Sequence, residues 1–103
     1  MGSPTQRSLK VMRERGYVAE VVEKWIAQMK RRKDLYGFID VLALKAGEVV
    51  GVQATSYSNT SSRIAKITEH ENLAIVRAAG VRILVHGWRK QNGRWVVREV
   101  DLS

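Results

Sequence analysis

An aspartate inside an apolar stretch is the residue of this sequence best placed to do chemistry. Asp40 stands within residues 38–42, FIDVL, where a lone charged carboxylate is costly unless a metal ion, a cation or hydrogen-bond donors compensate it. Gln53 is a second polar residue among apolar ones, within residues 51–55, GVQAT. Because side chains alternate along a strand, Gln53 and Thr55 share a face, and a hairpin in register brings Asp40 to it. We therefore expect the best candidate active site at Asp40 and Gln53.

The spacing of these residues resembles the motif of the PD-(D/E)XK nuclease superfamily, particularly its Holliday-junction-resolvase-like and VRR-type branches. There an acidic residue in one strand is followed, after a hairpin turn, by a (Glu/Asp/Gln)-x-Lys tripeptide in the next strand. Here Asp40 is followed, after twelve residues, by Gln53-Ala54-Thr55. The resemblance spans about residues 5–88. It implies hydrolysis of DNA phosphodiester bonds with Mg²⁺ or Mn²⁺, including branched, Holliday-junction-like DNA.

The resemblance also implies roles for single residues. Asp40 and Gln53 would hold the metal ion with an upstream acid, and the metal would orient water and neutralise charge on the phosphate. Gln53 replaces the usual acid, as in some family members, and Thr55 replaces the lysine that helps to activate water. A threonine hydroxyl carries no positive charge. Lys66, on the following helix, is the candidate replacement, because this lysine migrates in the superfamily; the alternative is an ordinary surface lysine.

Three upstream acids compete to complete the metal site. Glu20 and Glu23 are three residues apart, so on one strand they face opposite ways, and we prefer Glu23 as the ligand. Asp34 shares strand parity with Asp40, but six residues of straight strand would separate the two by about 20 Å. Both reach one metal only if Gly37 bends the chain. For each of the three acids, a structural ion pair is the alternative role.

The charge balance points to a polyanionic partner. The 103 residues carry 18 Lys and Arg against 10 Asp and Glu, a net charge of +8, and residues 1–33 alone hold nine basic and three acidic side chains. Such a balance favours polyanions such as DNA, RNA or acidic membrane surfaces. The basic N-terminal third favours phosphate contact by its basic run, although a solvated loop is the alternative. The residues predicted to contact phosphates are Lys30, Arg31, Arg32, Lys33 and Arg63.

Several protein classes are disfavoured by what the sequence lacks. It has no cysteine, hence no disulfide and no thiolate metal site. Its apolar runs are too short to span a membrane, and residues 1–5 lack the apolar core of a signal peptide, so we expect a cytoplasmic protein without a membrane partner. The two histidines have no metal-ligand spacing, and no nucleotide-binding or nucleophile motif occurs. The three tryptophans are expected to pack in the core or on the sheet, and base-stacking platforms are the alternative.

The predicted elements follow the order α-β-β-β-α-β-β. A helix ends at Gly16, and strands cover residues 35–44 and 49–55. Residues 17–26 are expected to form a strand, with a helix through positions 18, 21, 22 and 25 as the alternative. Helical spacing covers residues 63–79 with an interruption at 69–72, and a strand over 81–88 turns at Asn92-Gly93 into a last strand. The expected fold class is therefore α/β, with a restriction-endonuclease-like α-β-β-β-α-β core, a mixed central sheet, flanking helices and a C-terminal hairpin. Residues 1–103 are expected to form a single nuclease-like domain.

Three functional hypotheses follow from these patterns. The first is a metal-dependent endonuclease acting on DNA; a junction resolvase would be a homodimer, because two symmetric cuts need two sites. The second is a nucleic-acid-binding protein on the same fold whose catalytic site has decayed, as the missing lysine suggests. The third is a protein-interaction module whose basic charge serves solubility alone.

Overall fold

The computed structural model describes residues 2–103, which form three helices and seven strands with two short 3₁₀ helices. In chain order these are α1 (Pro4–Glu14), β1 (Val18–Val21), β2 (Lys24–Ile26), a 3₁₀ helix (Ala27–Met29), β3 (Arg31–Lys33), β4 (Val41–Lys45), β5 (Glu48–Ser56), a 3₁₀ helix (Tyr57–Asn59), α2 (Thr60–Thr68), α3 (Leu73–Ala78), β6 (Val81–Gln91) and β7 (Arg94–Asp101).

Five of the strands form one mixed sheet in the order β1-β4-β5-β6-β7. β1, β4 and β5 are antiparallel neighbours, with Val41 opposite Val52. The chain then crosses through α2 and α3 to β6, which runs parallel to β5 with Val52 opposite Leu84, and β7 returns antiparallel to β6. β2 and β3 form a separate two-stranded ribbon. The expectation of an α/β fold with a mixed sheet, flanking helices and a C-terminal hairpin is confirmed.

The sheet separates two apolar cores, as strand alternation requires. On one face, Val50 and Val52 of β5 belong to a cluster with Leu9 and Met12 of α1. On the other face, residues of β6 pack with residues of α2 and α3; this second cluster contains Phe38, Ile39, Ile67, Leu73, Val76, Ile83 and Val85. Gly51 contacts Ile39 on that second face, so Gln53 and Thr55, which share its parity, lie on the same side.

The helix boundaries match the cues in the sequence. Ser3 caps α1, its hydroxyl accepting the Gln6 N–H at 3.2 Å, and Gly16 follows the helix with φ of 93°. The predicted interruption of the second helical stretch is confirmed, because α2 ends at Thr68 and α3 begins at Leu73. No helix among residues 2–103 is long and apolar enough to span a bilayer.

The prediction of one long strand over residues 35–44 is wrong. Tyr36 and Gly37 adopt positive φ angles of 55° and 93°, and the Leu35 N–H donates to the Ile39 carbonyl at 2.9 Å. Residues 35–39 are thus a tight turn, and only Val41–Lys45 form strand β4. The apolar run is still buried, since Phe38 and Ile39 fill the core beside α2 and α3.

The prediction of one strand over residues 17–26 is also wrong. β1 pairs with β4 as far as Val21 opposite Val41, and the Val22 N–H donates to the Asp40 carbonyl at 2.8 Å. Beyond that point the turn over residues 35–39 offers no strand to pair with. Residues 24–26 pair instead with the basic run, whose last three residues form β3.

A buried hydrogen-bond chain fastens α1 to the C-terminal hairpin. The Trp88 indole N–H donates to Ser8 Oγ at 2.9 Å, and Ser8 Oγ lies 2.8 Å from His86 Nδ1. His86 Nε2 lies 2.8 Å from Glu99 of β7, which also accepts from Arg15. The chain is satisfied by a neutral His86 that carries its proton on Nε2 and accepts from Ser8. Burial lowers the pKa of His86 below its usual 6.5, against the raising effect of Glu99.

Stability should therefore fall in mild acid. A histidine with a lowered pKa stabilises the fold fully above its unfolded pKa of about 6.5, and this contribution is lost as pH falls towards the folded pKa. Through this one group, the free energy of unfolding should change by at most about 1.4 kcal/mol per pH unit. Urea unfolding of the wild type and of His86→Gln between about pH 5 and 8 should show a flatter pH profile for the variant. Parallel profiles would contradict this role of His86.

Candidate functional site

Asp40 sits where three strands of the sheet meet. Its backbone N–H donates to the Val52 carbonyl at 2.8 Å, and its carbonyl accepts from the Val22 N–H at 2.8 Å. The side chain is 3% exposed. Its Oδ2 atom accepts from Gln53 Nε2 at 2.8 Å and from the Ala54 backbone N–H at 2.9 Å. The sheet thus fixes the carboxylate of Asp40 against β5, on the side of Gln53.

The turn over residues 35–39 brings Asp34 back to Asp40. The Gly37 N–H donates to the Asp34 carbonyl at 3.1 Å, and His70 packs so closely on Gly37 that a Cβ there would lie 2.2 Å from His70 Nε2. A side chain at this position would also be strained by the φ of 93°. The chain therefore bends at Gly37, which is the condition under which Asp34 and Asp40 can reach one metal ion.

A third carboxylate completes the cluster. Glu23 follows β1, and Glu23, Asp34 and Asp40 each offer an oxygen within 4.8 Å of the other two. Glu23 also accepts from Arg32 at 2.7 Å, which is the structural ion pair considered from the sequence. Glu20 is exposed on β1 and does not belong to the cluster. Of the three upstream acids, the structure brings Glu23 and Asp34 together with Asp40.

Gln53 bridges two of the carboxylates. Its Nε2 donates to Asp40 at 2.8 Å and lies 3.3 Å from Asp34 Oδ2. The residue is 1% exposed, and its Oε1 atom has no hydrogen-bond partner among residues 2–103. An unpaired buried acceptor is costly, of the order of 1–3 kcal/mol. The side chain is therefore suited to hold a further group at this position.

The surroundings raise the pKa of Asp40 to about 7 from its usual 3.8. Burial is the largest cause, and the neighbouring Asp34 carboxyl adds to it, while the hydrogen bonds from Ala54 and Gln53 act in the opposite direction. Two carboxylates this close resist being charged together. A divalent cation between them would remove that repulsion, since hard cations bind carboxylate and amide oxygens.

Lys66 lies near the cluster, and Thr55 lies on the same strand face. Lys66 extends from α2 with Nζ 3.8 Å from Asp34 Oδ2. Thr55 is buried on β5, two residues beyond Gln53. Arg63, one turn before Lys66 on α2, is half-buried. A positive charge therefore reaches the cluster from Lys66 on α2, and not from position 55, two residues beyond Gln53 on β5.

A basic cleft opens beside Asp34. It has a volume of about 420 Å³ and lies between the β2–β3 ribbon and α2. Its charged and polar lining includes Arg31, Arg32, Lys33, Asp34, Lys66 and His70. The sequence indicated only a surface turn for His70, without a role. His70 lies in the cleft because it packs against the bend at Gly37. No spacing pattern in the sequence predicts this contact.

Compared with protein-family models and with curated proteins, the chain matches none. Its function is therefore inferred from the residues of the site and their surroundings.

Removing the charge of Asp40 should separate metal binding from folding. Asp40→Asn retains an oxygen that can accept from Ala54 and Gln53, so without metal it should be as stable as the wild type or more so. Mn²⁺ at about one hundred times its Kd should stabilise the wild type by about 2.7 kcal/mol, or roughly 10 °C in Tm. The variant should lose this gain. Thermal melts with EDTA and with Mn²⁺ measure both effects.

The matched control is Glu20→Gln, which removes an exposed carboxylate outside the cluster and should keep the full response to Mn²⁺. A destabilised Asp40→Asn, together with a wild type that does not respond to Mn²⁺, would mean that Asp40 serves folding alone.

Proposed function

We propose that the chain is a metal-dependent endonuclease that hydrolyses DNA phosphodiester bonds. The observation that carries the proposal is the cluster of Glu23, Asp34 and Asp40, with oxygens within 4.8 Å of one another, at the edge of a basic cleft. Carboxylates gathered where DNA phosphates would be attracted favour a cation that acts on those phosphates.

The order of the elements supports a restriction-endonuclease-like core and membership of the PD-(D/E)XK superfamily. α1, β1, β4, β5, α2 and β6 follow one another as α-β-β-β-α-β. In that core, the acidic residue belongs to one strand and the second motif lies in the next, after a hairpin turn. Asp40 immediately precedes β4, and Gln53 lies in β5 within hydrogen-bonding distance of it. The β2–β3 ribbon and α3 are additions to this order.

The residues present fit a Mg²⁺ or Mn²⁺ ion. Three carboxylates would offset its charge, and Gln53, whose Nε2 faces Asp40 and Asp34 in the structure, would turn its amide over to present its oxygen Oε1 to the ion. Asp40, Glu23 and Gln53, with Asp34 in addition, are the proposed ligands. When bound, the ion would polarise the phosphate and lower the pKa of a water molecule.

Lys66 is proposed to supply the positive charge that Thr55 cannot. Its side chain is about half exposed, and its Nζ lies 3.8 Å from Asp34, so it can reach an anion bound in the cleft without being desolvated. Thr55 can offer only a hydrogen bond from its hydroxyl. Asp34 orients the Lys66 ammonium group towards the cluster.

A second candidate is a DNA-binding protein on the same fold without hydrolytic activity. The observation in its favour is Thr55, which leaves β5 without the cation that the family pattern has there. The basic cleft and the ribbon would serve both candidates equally. A third possibility, a protein-interaction module, predicts no binding of DNA at all.

DNA contact is proposed for the basic run and for α2. Arg31, Arg32 and Lys33 are exposed along β3 and line the cleft, and Lys30 is exposed at the preceding turn. Arg63 lies on α2, one turn before Lys66. These groups would neutralise phosphates on either side of the carboxylates. On a four-way junction, two copies of the chain would be needed for paired cuts, which is the basis for proposing a homodimer.

Cleavage should require both the metal and Asp40. With Mg²⁺, the wild type should cut at least one of duplex, single-stranded and four-way-junction DNA, and EDTA should stop the reaction. Asp40→Asn should lower the rate about a hundredfold or more, because the charge that holds the metal is removed. Lys66→Ala should lower it as well. Gel assays with end-labelled DNA measure these rates.

Glu20→Gln and Lys10→Ala are the controls for these two variants, because both residues are exposed and lie outside the cluster and the cleft. DNA binding without cleavage by the wild type would favour the second candidate. Absence of binding would overturn both.

The basic run should determine how strongly binding depends on salt. Replacing Lys30, Arg31, Arg32 and Lys33 with alanine should weaken duplex DNA binding and reduce the slope of log K against log salt by about 0.9 for each phosphate that the protein no longer neutralises. A control variant removes the same charge elsewhere on the exposed surface, at Lys10, Lys90, Arg94 and Arg98. Binding titrations at several salt concentrations compare the two. Equal slopes in the two variants would show that the run is only a solvated edge.

A further inference from the structure

The β2–β3 ribbon carries an exposed tryptophan. Its strands are three residues each, joined by the 3₁₀ helix Ala27–Met29, and Trp25 lies opposite Arg32. Trp25 is 59% exposed, whereas Trp88 is 6% exposed. Trp88 lies in the core and Trp95, 46% exposed, lies on strand β7 of the sheet, as expected, whereas Trp25 belongs to neither and leaves the base-stacking alternative open.

Trp25 differs from Trp95 in its neighbours. The Trp95 ring is covered by the guanidinium of Arg7, at 3.3 Å from the ring centroid. Among residues 2–103, no cation stacks on Trp25. A largely exposed indole with no stacked cation, on a ribbon of basic residues, is the combination found where proteins bind single strands of nucleic acid.

The position of Trp25 places it beside the carboxylate cluster. Trp25 is two residues beyond Glu23, and its cross-strand neighbour Arg32 pairs with Glu23 at 2.7 Å. Trp25, Glu23 and Arg32 line one small cleft of about 320 Å³. Arg32 also lines the basic cleft beside Asp34. Arg32 therefore borders both clefts, next to Trp25 in one and next to Arg31 and Lys33 in the other.

We propose that Trp25 is a stacking platform for an unpaired base, so that the site takes a strand with at least one unpaired base beside the phosphate at the cluster. This deepens the proposed nuclease function and rests on it. In continuous duplex every base is stacked between its neighbours and presents no free face to a ribbon. Single strands and the unpaired strand of a flap do present one. The cations of β3 bind the phosphates of the nucleic-acid strand, and the Trp25 ring stacks on the base.

The charges around Trp25 decide between a nucleic-acid strand and a protein partner. Lys24 precedes it, and Arg31, Arg32 and Lys33 lie on the opposing strand. An acidic peptide would satisfy these cations, but its side chains would leave the flat aromatic face without a matching surface. A nucleic-acid strand provides regularly spaced phosphates and a planar base together.

The test compares a single strand with its abasic copy. The two oligonucleotides have the same length and the same phosphates, but the copy has no bases. In EDTA, which prevents cleavage, the wild type should bind the single strand more tightly than the copy. Trp25→Ala should weaken binding of the single strand at least about fivefold and leave binding of the copy unchanged, because one base is no longer stacked. Fluorescence anisotropy measures both affinities at one salt concentration.

Two further variants make the result specific. Trp25→Phe keeps an aromatic face and should retain most of the preference for the single strand, and Trp95→Ala should retain all of it. Thermal melts check that Trp25→Ala is folded. Equal binding of the two oligonucleotides by the wild type, or a preference that survives in Trp25→Ala, would overturn the proposal; binding of neither would do the same.

Because the comparison is made without metal, it is independent of catalysis. A wild type that shows the Trp25-dependent preference but does not cleave with Mg²⁺ would refute the nuclease while the stacking platform stands. A wild type that cleaves but shows no preference would refute the platform alone.

Discussion

The meeting of two carboxylates in a largely buried position is the constraint on which the site depends. The backbone of Asp40 is fixed by bonds to β5 and to the end of β1, and its side chain cannot turn away without losing the hydrogen bonds from Ala54 and Gln53. Asp34 is returned to it by the bend at Gly37. The resulting repulsion adds to burial in raising the pKa of Asp40 to about 7, and the Gln53 amide relieves part of it by donating between the two acids. The neutral amide of Gln53 thus occupies the position between the two acids where a cation would reduce their repulsion further.

Strand β5 contributes to the apolar core on one face and to the carboxylate cluster on the other. Its residues Val50 and Val52 pack on α1, while Gly51 and Gln53 face the other side. Gly51 has no room for a Cβ, which would lie 2.6 Å from Ile39, so the residue before Asp40 is held tightly against the strand that carries Gln53. Rigid support of this kind is what a ligand set needs, because misplacement by a fraction of an ångström weakens it.

The sequence predicted the parts of this arrangement that periodicity controls. Strand alternation and the apolar context were sufficient to pair Asp40 with Gln53, and helical spacing located α2, α3 and the break between them. The turn at Gly37 was predicted only as a condition, because an apolar run of ten residues is equally compatible with a strand and with a buried turn. The β2–β3 ribbon was missed for the same reason, since its pairing depends on this turn, which delays the start of β4 to Val41. The positions of Asp34 and Trp25 both depend on this turn.

A second group of side chains in this fold has the geometry of a catalytic site, but substrate cannot reach it. Ser8, His86 and Glu99 are linked by hydrogen bonds of 2.8 Å, in the order of a nucleophile, a base and an orienting acid. Yet Ser8 and His86 are fully buried, and the Ser8 oxygen already accepts the indole N–H of Trp88. No substrate carbonyl or phosphate can approach a hydroxyl enclosed in this way, so the chain of bonds serves to hold α1 on the sheet. The carboxylate cluster differs because Asp34 and Glu23 line open clefts bordered by cations. The proposed chemistry therefore belongs to the face of the sheet where the carboxylates meet solvent and cations, whereas the buried polar chain, like the apolar cores on both faces, serves stability.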